Sequence, residues 1–115
     1  ERAVGKILKS YPRESFYLAT KFPGYDLSNM NKVEEIFEAQ LKKCGVEYFD
    51  FYLFHNLCEM NIDAYLDDEK YGIYTYLKKQ KAAGRIRHFP RTAAARSFAA
   101  FWKRTERIWN SVSFR

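Results

Sequence analysis

A chain of 115 residues, 47% of them apolar, is long enough to bury the core of one small domain. No stretch approaches the ~18 uncharged apolar residues that would cross a bilayer. The net charge of +6 would suggest a nucleic acid or anionic surface as partner, but residues 1–84 sum to −1 and residues 85–115 to +7, so the whole excess sits at one end.

Val4, Ile7, Leu8 and Tyr11 recur at helical spacing and Pro12 ends the run, so the first element reads as a helix. Residues 15–22 are aromatic and β-prone, and Pro23-Gly24 breaks them, which predicts a strand with Lys21 near its C-terminal end. Asn31 followed by Glu34 has the spacing of a capping box, ahead of an apolar stripe of Val33, Ile36, Phe37, Leu41 and Cys44 that Gly45 should terminate. Residues 48–54 are apolar on both parities apart from Asp50, as expected of a parallel strand covered on both faces, and His55 follows. Residues 71–83 read as a helix on Ile73, Tyr76, Leu77 and Gln80, closed by Gly84, and Arg85 to His88 open a third strand. Helices alternating with strands predict a parallel sheet with right-handed crossovers.

Lys21 and His55 stand at the C-terminal ends of neighbouring predicted strands, the edge where α/β sheets and barrels place their chemistry. The plain alternatives are a solvated lysine and a histidine satisfied by a loop carbonyl. Asp50 has the opposite parity to His55, so it is expected to face the helix layer, tied to a backbone N–H or a basic side chain. Cys44 and Cys58 form no CxxC pair, and His55 and Cys58 lack further ligands at metal-site spacing, which argues against zinc and for a reducing, cytoplasmic setting. The chain has no GxGxxG, Walker or GxSxG motif, so Rossmann, P-loop and serine-hydrolase readings lose their anchors. Its start has neither an initiator Met nor a signal pattern and reads as a cut chain.

These residues resemble the aldo-keto reductases. Glu1-Arg2-Ala3-Val4-Gly5 is similar to the tail of the family's first signature, Tyr17 to Lys21 to its third strand with the catalytic lysine, and Tyr48 to His55 to its fourth strand with the catalytic histidine. Gly84 to His88 is similar to the entry to the fifth strand. The wording of Lys21 to Tyr25 and of His55 to Asn61 resembles the bacterial branch that appends a ferredoxin-like iron–sulfur segment; a 4Fe-4S cluster would then belong to full-length relatives, its ligands being absent here.

The resemblance implies a (β/α)8 barrel, of which this chain, at less than half of the roughly 250 residues such a barrel needs, would supply about three βα units. It also implies reduction of a small carbonyl substrate by NADP(H) or NAD(H), with Lys21 supporting a tyrosine acid and His55 bonding the substrate oxygen. The family's aspartate and tyrosine precede the Glu1 motif. Its cofactor contacts begin with a Gly-(apolar)-Ser pattern on strand five, where this chain reads Phe89-Pro90-Arg91. The chain is therefore expected to be an inactive interior fragment, with no cofactor-binding or metal-binding residue of its own.

Residues 89–115 resemble nothing in the family as written. Reading each codon one base earlier can turn Phe89 to Ala94 into Phe-Ser-Ala-His-Gly-Ser, the expected end of strand five, and Trp102-Lys103 and Trp109-Asn110 each force a glutamate where the family's next helix and strand want one. The expectation is a partial barrel over 1–88 and, over 89–115, a non-native, frameshifted and helical tail whose basic charge is an accident of frame, with neither a nucleic acid nor a membrane as partner. The rival reading is a non-catalytic remnant, or a basic amphipathic helix used as a binding module.

Overall fold

The computed structural model describes residues 1–58 and 60–89. In chain order these form α1 (Arg2–Leu8), β1 (Ala19–Phe22), α2 (Val33–Cys44), β2 (Phe49–Phe54), α3 (Ile62–Leu66), α4 (Asp68–Tyr71), α5 (Ile73–Ala82) and β3 (Ile86–His88). The sheet runs β1-β2-β3 with both pairings parallel. Parallel neighbours need a crossover between them, which α2 provides for β1 and β2, and α3 to α5 for β2 and β3. The result is an open three-stranded α/β unit with the architecture of part of a (β/α)8 barrel.

The helix that carries the packing is α2. Glu34 and Glu35 in its first turn and Lys42 and Lys43 in its last complement the helix dipole. Gly45 stops it in a left-handed conformation (φ 65°), letting the Val46 N–H reach back to the Leu41 carbonyl at 3.2 Å. Phe37 is its central buried residue, meeting Phe49, Tyr52 and Tyr76 edge-on at centroid distances of 6.0, 5.3 and 6.0 Å. Each such pair contributes roughly 0.5–1.5 kcal/mol beyond the area it buries. Phe22, Ile73, Leu77 and Ile86 complete the layer between sheet and helices.

Four local expectations change in the structure, the last being the direction of Asp50. The Asn31–Glu34 capping box does not form: a 3-10 turn over Leu27–Lys32, capped by Asp26 accepting from the Ser28 N–H, leads into a helix that starts at Val33 with no side-chain cap. Of the expected stripe, Val4 and Ile7 on α1 and Tyr11 beyond it are exposed, Leu8 is partly buried against the core, and α1 meets α2 closely at buried Gly5, where a Cβ would lie 2.5 Å from the Lys43 carbonyl oxygen. The strand expected over 15–22 is confined to Ala19–Phe22, because Arg13–Ser15 forms a 3-10 turn from which Arg13 reaches Asp50.

Asp50 is tied as expected but does not face the helices. The Leu18 carbonyl accepts from both the Asp50 N–H (2.9 Å) and the Phe51 N–H (3.2 Å), the two-against-one pattern of a β-bulge. The bulge interrupts strict alternation, so Phe49 and Tyr52, three residues apart, both pack on Phe37. Asp50 instead accepts from the Leu18 N–H and Arg13 and lies 3.5 Å from Arg87 on β3. Burial alone would raise its pKa, but that hydrogen-bonded backbone N–H and the two guanidinium charges together hold it below the usual carboxylate range.

Phe89, just past β3, is buried and packs against Phe54 and Tyr74. The helix expected in the tail lies outside the described residues.

Candidate active site

The C-terminal edge of the sheet is set by the register of β1 and β2. Lys21 is level with Leu53 and Phe22 with Phe54, and the His55 N–H extends the ladder by donating to the Phe22 carbonyl at 3.0 Å. In a parallel pair, residues at matched positions share a face, and so does the second residue further along. Lys21, Leu53 and His55 therefore belong to the face opposite the helices, whereas Phe22 and Tyr52 are buried beneath α2 and α3. The structure thus brings both sequence-derived candidates to one end and one face of adjacent strands.

A buried network fixes the backbone under Lys21. Gln40 of α2 donates from Nε2 to the Lys21 carbonyl at 2.9 Å, and its Oε1 accepts the Tyr52 hydroxyl at 2.7 Å. Gln40 is 6% exposed and Tyr52 fully buried, so the amide ties the helix to both strands through largely buried bonds. Burial pushes the Tyr52 phenol far above its ordinary range and keeps it a neutral donor. The Lys21 side chain is exposed.

His55 is half-buried, with the Tyr25 ring edge-on to it at 4.9 Å. Asn56 follows in the left-handed region (φ 49°), a conformation that asparagine tolerates better than most residues and that turns the chain sharply away from the strand. Tyr65 of α3 closes the site from below: its hydroxyl lies 3.3 Å from the Phe22 carbonyl and 3.4 Å from that of His55, and a Cβ at Gly24 would run into it. Tyr65, Asn61 and Gln40 were not singled out for the site in the sequence. Nothing in local spacing marks a side chain that bonds a strand end 19 to 43 positions away.

A parallel α/β sheet with a lysine and a histidine at adjacent C-terminal strand ends presents them at the edge where α/β barrels and open α/β sheets place their chemistry. Residues 1–101 match the model of the aldo/keto reductase family, and the chain belongs to that family. The match runs past residue 88 into the basic tail. No curated protein and no solved structure matches the chain. The family is one of NAD(P)H-dependent oxidoreductases acting on carbonyl substrates, and none of the described helices is long and apolar enough to cross a membrane.

Three described arginines are held in ion pairs. Arg13 and Arg87 are engaged with Asp50, and Arg85 with Glu38.

Proposed function

We propose that Lys21 and His55 are the lysine and histidine of an aldo-keto reductase active site. The observation that carries this is their shared end and face on adjacent parallel strands, held level by the His55-to-Phe22 bond, in a chain of that family. In this reading the imidazole of His55 hydrogen-bonds the substrate oxygen, fixing it in place and stabilising the negative charge that grows there as the carbonyl is reduced. The ammonium of Lys21 stabilises the phenolate form of a tyrosine, whose pKa of about 10 would otherwise make it a poor acid–base group at neutral pH. A reduced nicotinamide, NADP(H) or NAD(H), supplies the hydride.

The resemblance places that tyrosine and its aspartate partner before the Glu1 motif. The 115-residue polypeptide by itself therefore holds half of the catalytic set and is inactive alone. The same reading sets a barrel portion over 1–88 and a frameshifted tail over 89–115. It aligns the chain with the ferredoxin-appended bacterial branch on the wording around Lys21 and His55, any iron–sulfur cluster being bound elsewhere in such relatives. Family membership supports a small carbonyl compound as the partner, with a cytoplasmic setting taken from the two unpaired cysteines.

The test is a longer protein in which an in-phase upstream segment carrying an aspartate and a tyrosine precedes Glu1 and the shifted frame continues after His88. Aldehyde- or ketone-dependent oxidation of NADPH or NADH supports the reading. A folded protein of that kind with no such activity towards a broad carbonyl panel contradicts it.

A further inference from the structure

Two loops sharing no secondary structure meet at the C-terminal edge: residues 23–25 after β1, which carry Tyr25, and residues 55–58 after β2, which carry His55. One side chain joins them. Asn61, 2% exposed, donates from Nδ2 to the Gly24 carbonyl at 3.2 Å and to the Asn56 carbonyl at 2.9 Å, while its Oδ1 accepts the Cys58 N–H at 2.9 Å. An asparagine amide has two N–H donors and one oxygen, and here all are used; the partners, two carbonyls and one N–H, also fix which way the amide faces.

The three bonds bracket the two aromatic groups of the site. Gly24 precedes Tyr25 and Asn56 follows His55, and those two rings are in edge-on contact at 4.9 Å. Asn56 also occupies the left-handed region, a conformation that persists where surrounding contacts over-determine it, and the bond from Asn61 to its carbonyl is such a contact. Tyr65, one turn further along α3, reinforces the arrangement through its hydroxyl beneath the Phe22 and His55 carbonyls.

We propose that Asn61 is a positioning residue for carbonyl reduction: it locks the turn bearing Tyr25 to the turn bearing His55 and thereby fixes the imidazole at the strand end. The proposal rests on the assignment of His55 as the group that bonds the substrate oxygen. Misplacing such a group by about 1 Å lowers turnover on the order of a hundredfold, so a buried amide that touches no substrate acquires a kinetic effect.

The test uses the whole protein that carries this chain, comparing wild type with Asn61→Ala, Asn61→Asp, Tyr25→Leu and His55→Ala. Asn61→Asp keeps the volume and the acceptor for Cys58 while losing both donors, and it serves if Asn61→Ala does not fold. A folded Asn61 variant should lose about ten- to a hundredfold in kcat, with the KM for the reduced nicotinamide unchanged. The ring-proton resonances of His55 should move toward their positions in Tyr25→Leu, where the neighbouring ring current is gone. Wild-type kcat, or a loss of kcat with unmoved His55 resonances, overturns the positioning role when His55→Ala is inactive. Full activity of His55→Ala would instead overturn the assignment beneath it, and Asn61 would then have no part in the reaction.

Discussion

The His55 N–H donates to the Phe22 carbonyl at 3.0 Å, so the residue after β2 is hydrogen-bonded to the last residue of β1. This single ladder bond places a histidine one step beyond a strand whose neighbour carries Lys21 one residue before its end. It ties the turn after β2 to the end of β1, the edge at which the proposed site lies.

The 115-residue polypeptide by itself should reduce no carbonyl compound with NADPH or NADH, because in the proposed reading the tyrosine that would deliver the proton precedes the Glu1 motif. Purified chain assayed against aldehydes and ketones should stay at the no-enzyme rate. Turnover above it would show that another group donates the proton.

Gln40→Met should destabilise the fold and loosen the strand end at Lys21. The change leaves the buried Tyr52 hydroxyl and the Lys21 carbonyl without their partner, and each unsatisfied buried group costs about 1–3 kcal/mol. Urea unfolding should show a lower midpoint with a similar slope. An unchanged midpoint would mean that water replaces the amide.

Asp50 should make stability fall with acid. Its folded-state pKa is depressed, so its contribution is fully present above the unfolded value of about 3.9 and is lost as pH drops through the lower folded value. Asp50→Asn should cost about 2 kcal/mol at neutral pH, because Arg13 loses a charged partner, and should flatten the acid limb of the stability curve below about pH 4. Equal acid sensitivity in wild type and variant would exclude Asp50 as the source.

Isolated residues 1–115 should bind hydrophobic dyes, unfold over a broad range and associate. Val4, Ile7, Tyr11, Tyr17 and Phe51 are exposed, and β1 and β3 each have one side without a strand partner among the described residues. Calorimetry with sedimentation checks this. A sharp transition from a monomer would mark a self-sufficient domain.

Much of the sheet was legible because its strands are short apolar runs closed by Pro23-Gly24 or by a polar residue, and because Gly45 and Gly84 end helices whose stripes repeat at helical spacing. The direction of Asp50 was not, since parity counting assumes regular alternation and the bulge at Asp50 and Phe51 breaks it. Helices α3 and α4, of five and four residues, are too short to show a period, so the piece that carries Asn61 and Tyr65 toward the site went unseen. The largely exposed stripe of α1 shows the converse: periodicity found the helix, but Gly5, its one buried residue, carries no hydrophobic signal. The positions of Lys21 and His55 at strand ends were legible because each stands next to a strong strand pattern. Gln40 and Asn61 were not, because their partners are distant in sequence.

The most direct test of the central claim is the turnover of the whole protein, purified and folded, as wild type, Lys21→Met and His55→Ala, measured as carbonyl-dependent oxidation of NADPH or NADH. Both variants should keep the wild-type melting behaviour, because the Lys21 side chain is exposed and the His55 ring half-buried at the loop edge. Both should lose about 100-fold or more in kcat. Wild-type turnover in both variants would contradict the account and leave the pair as ordinary residues at a strand end.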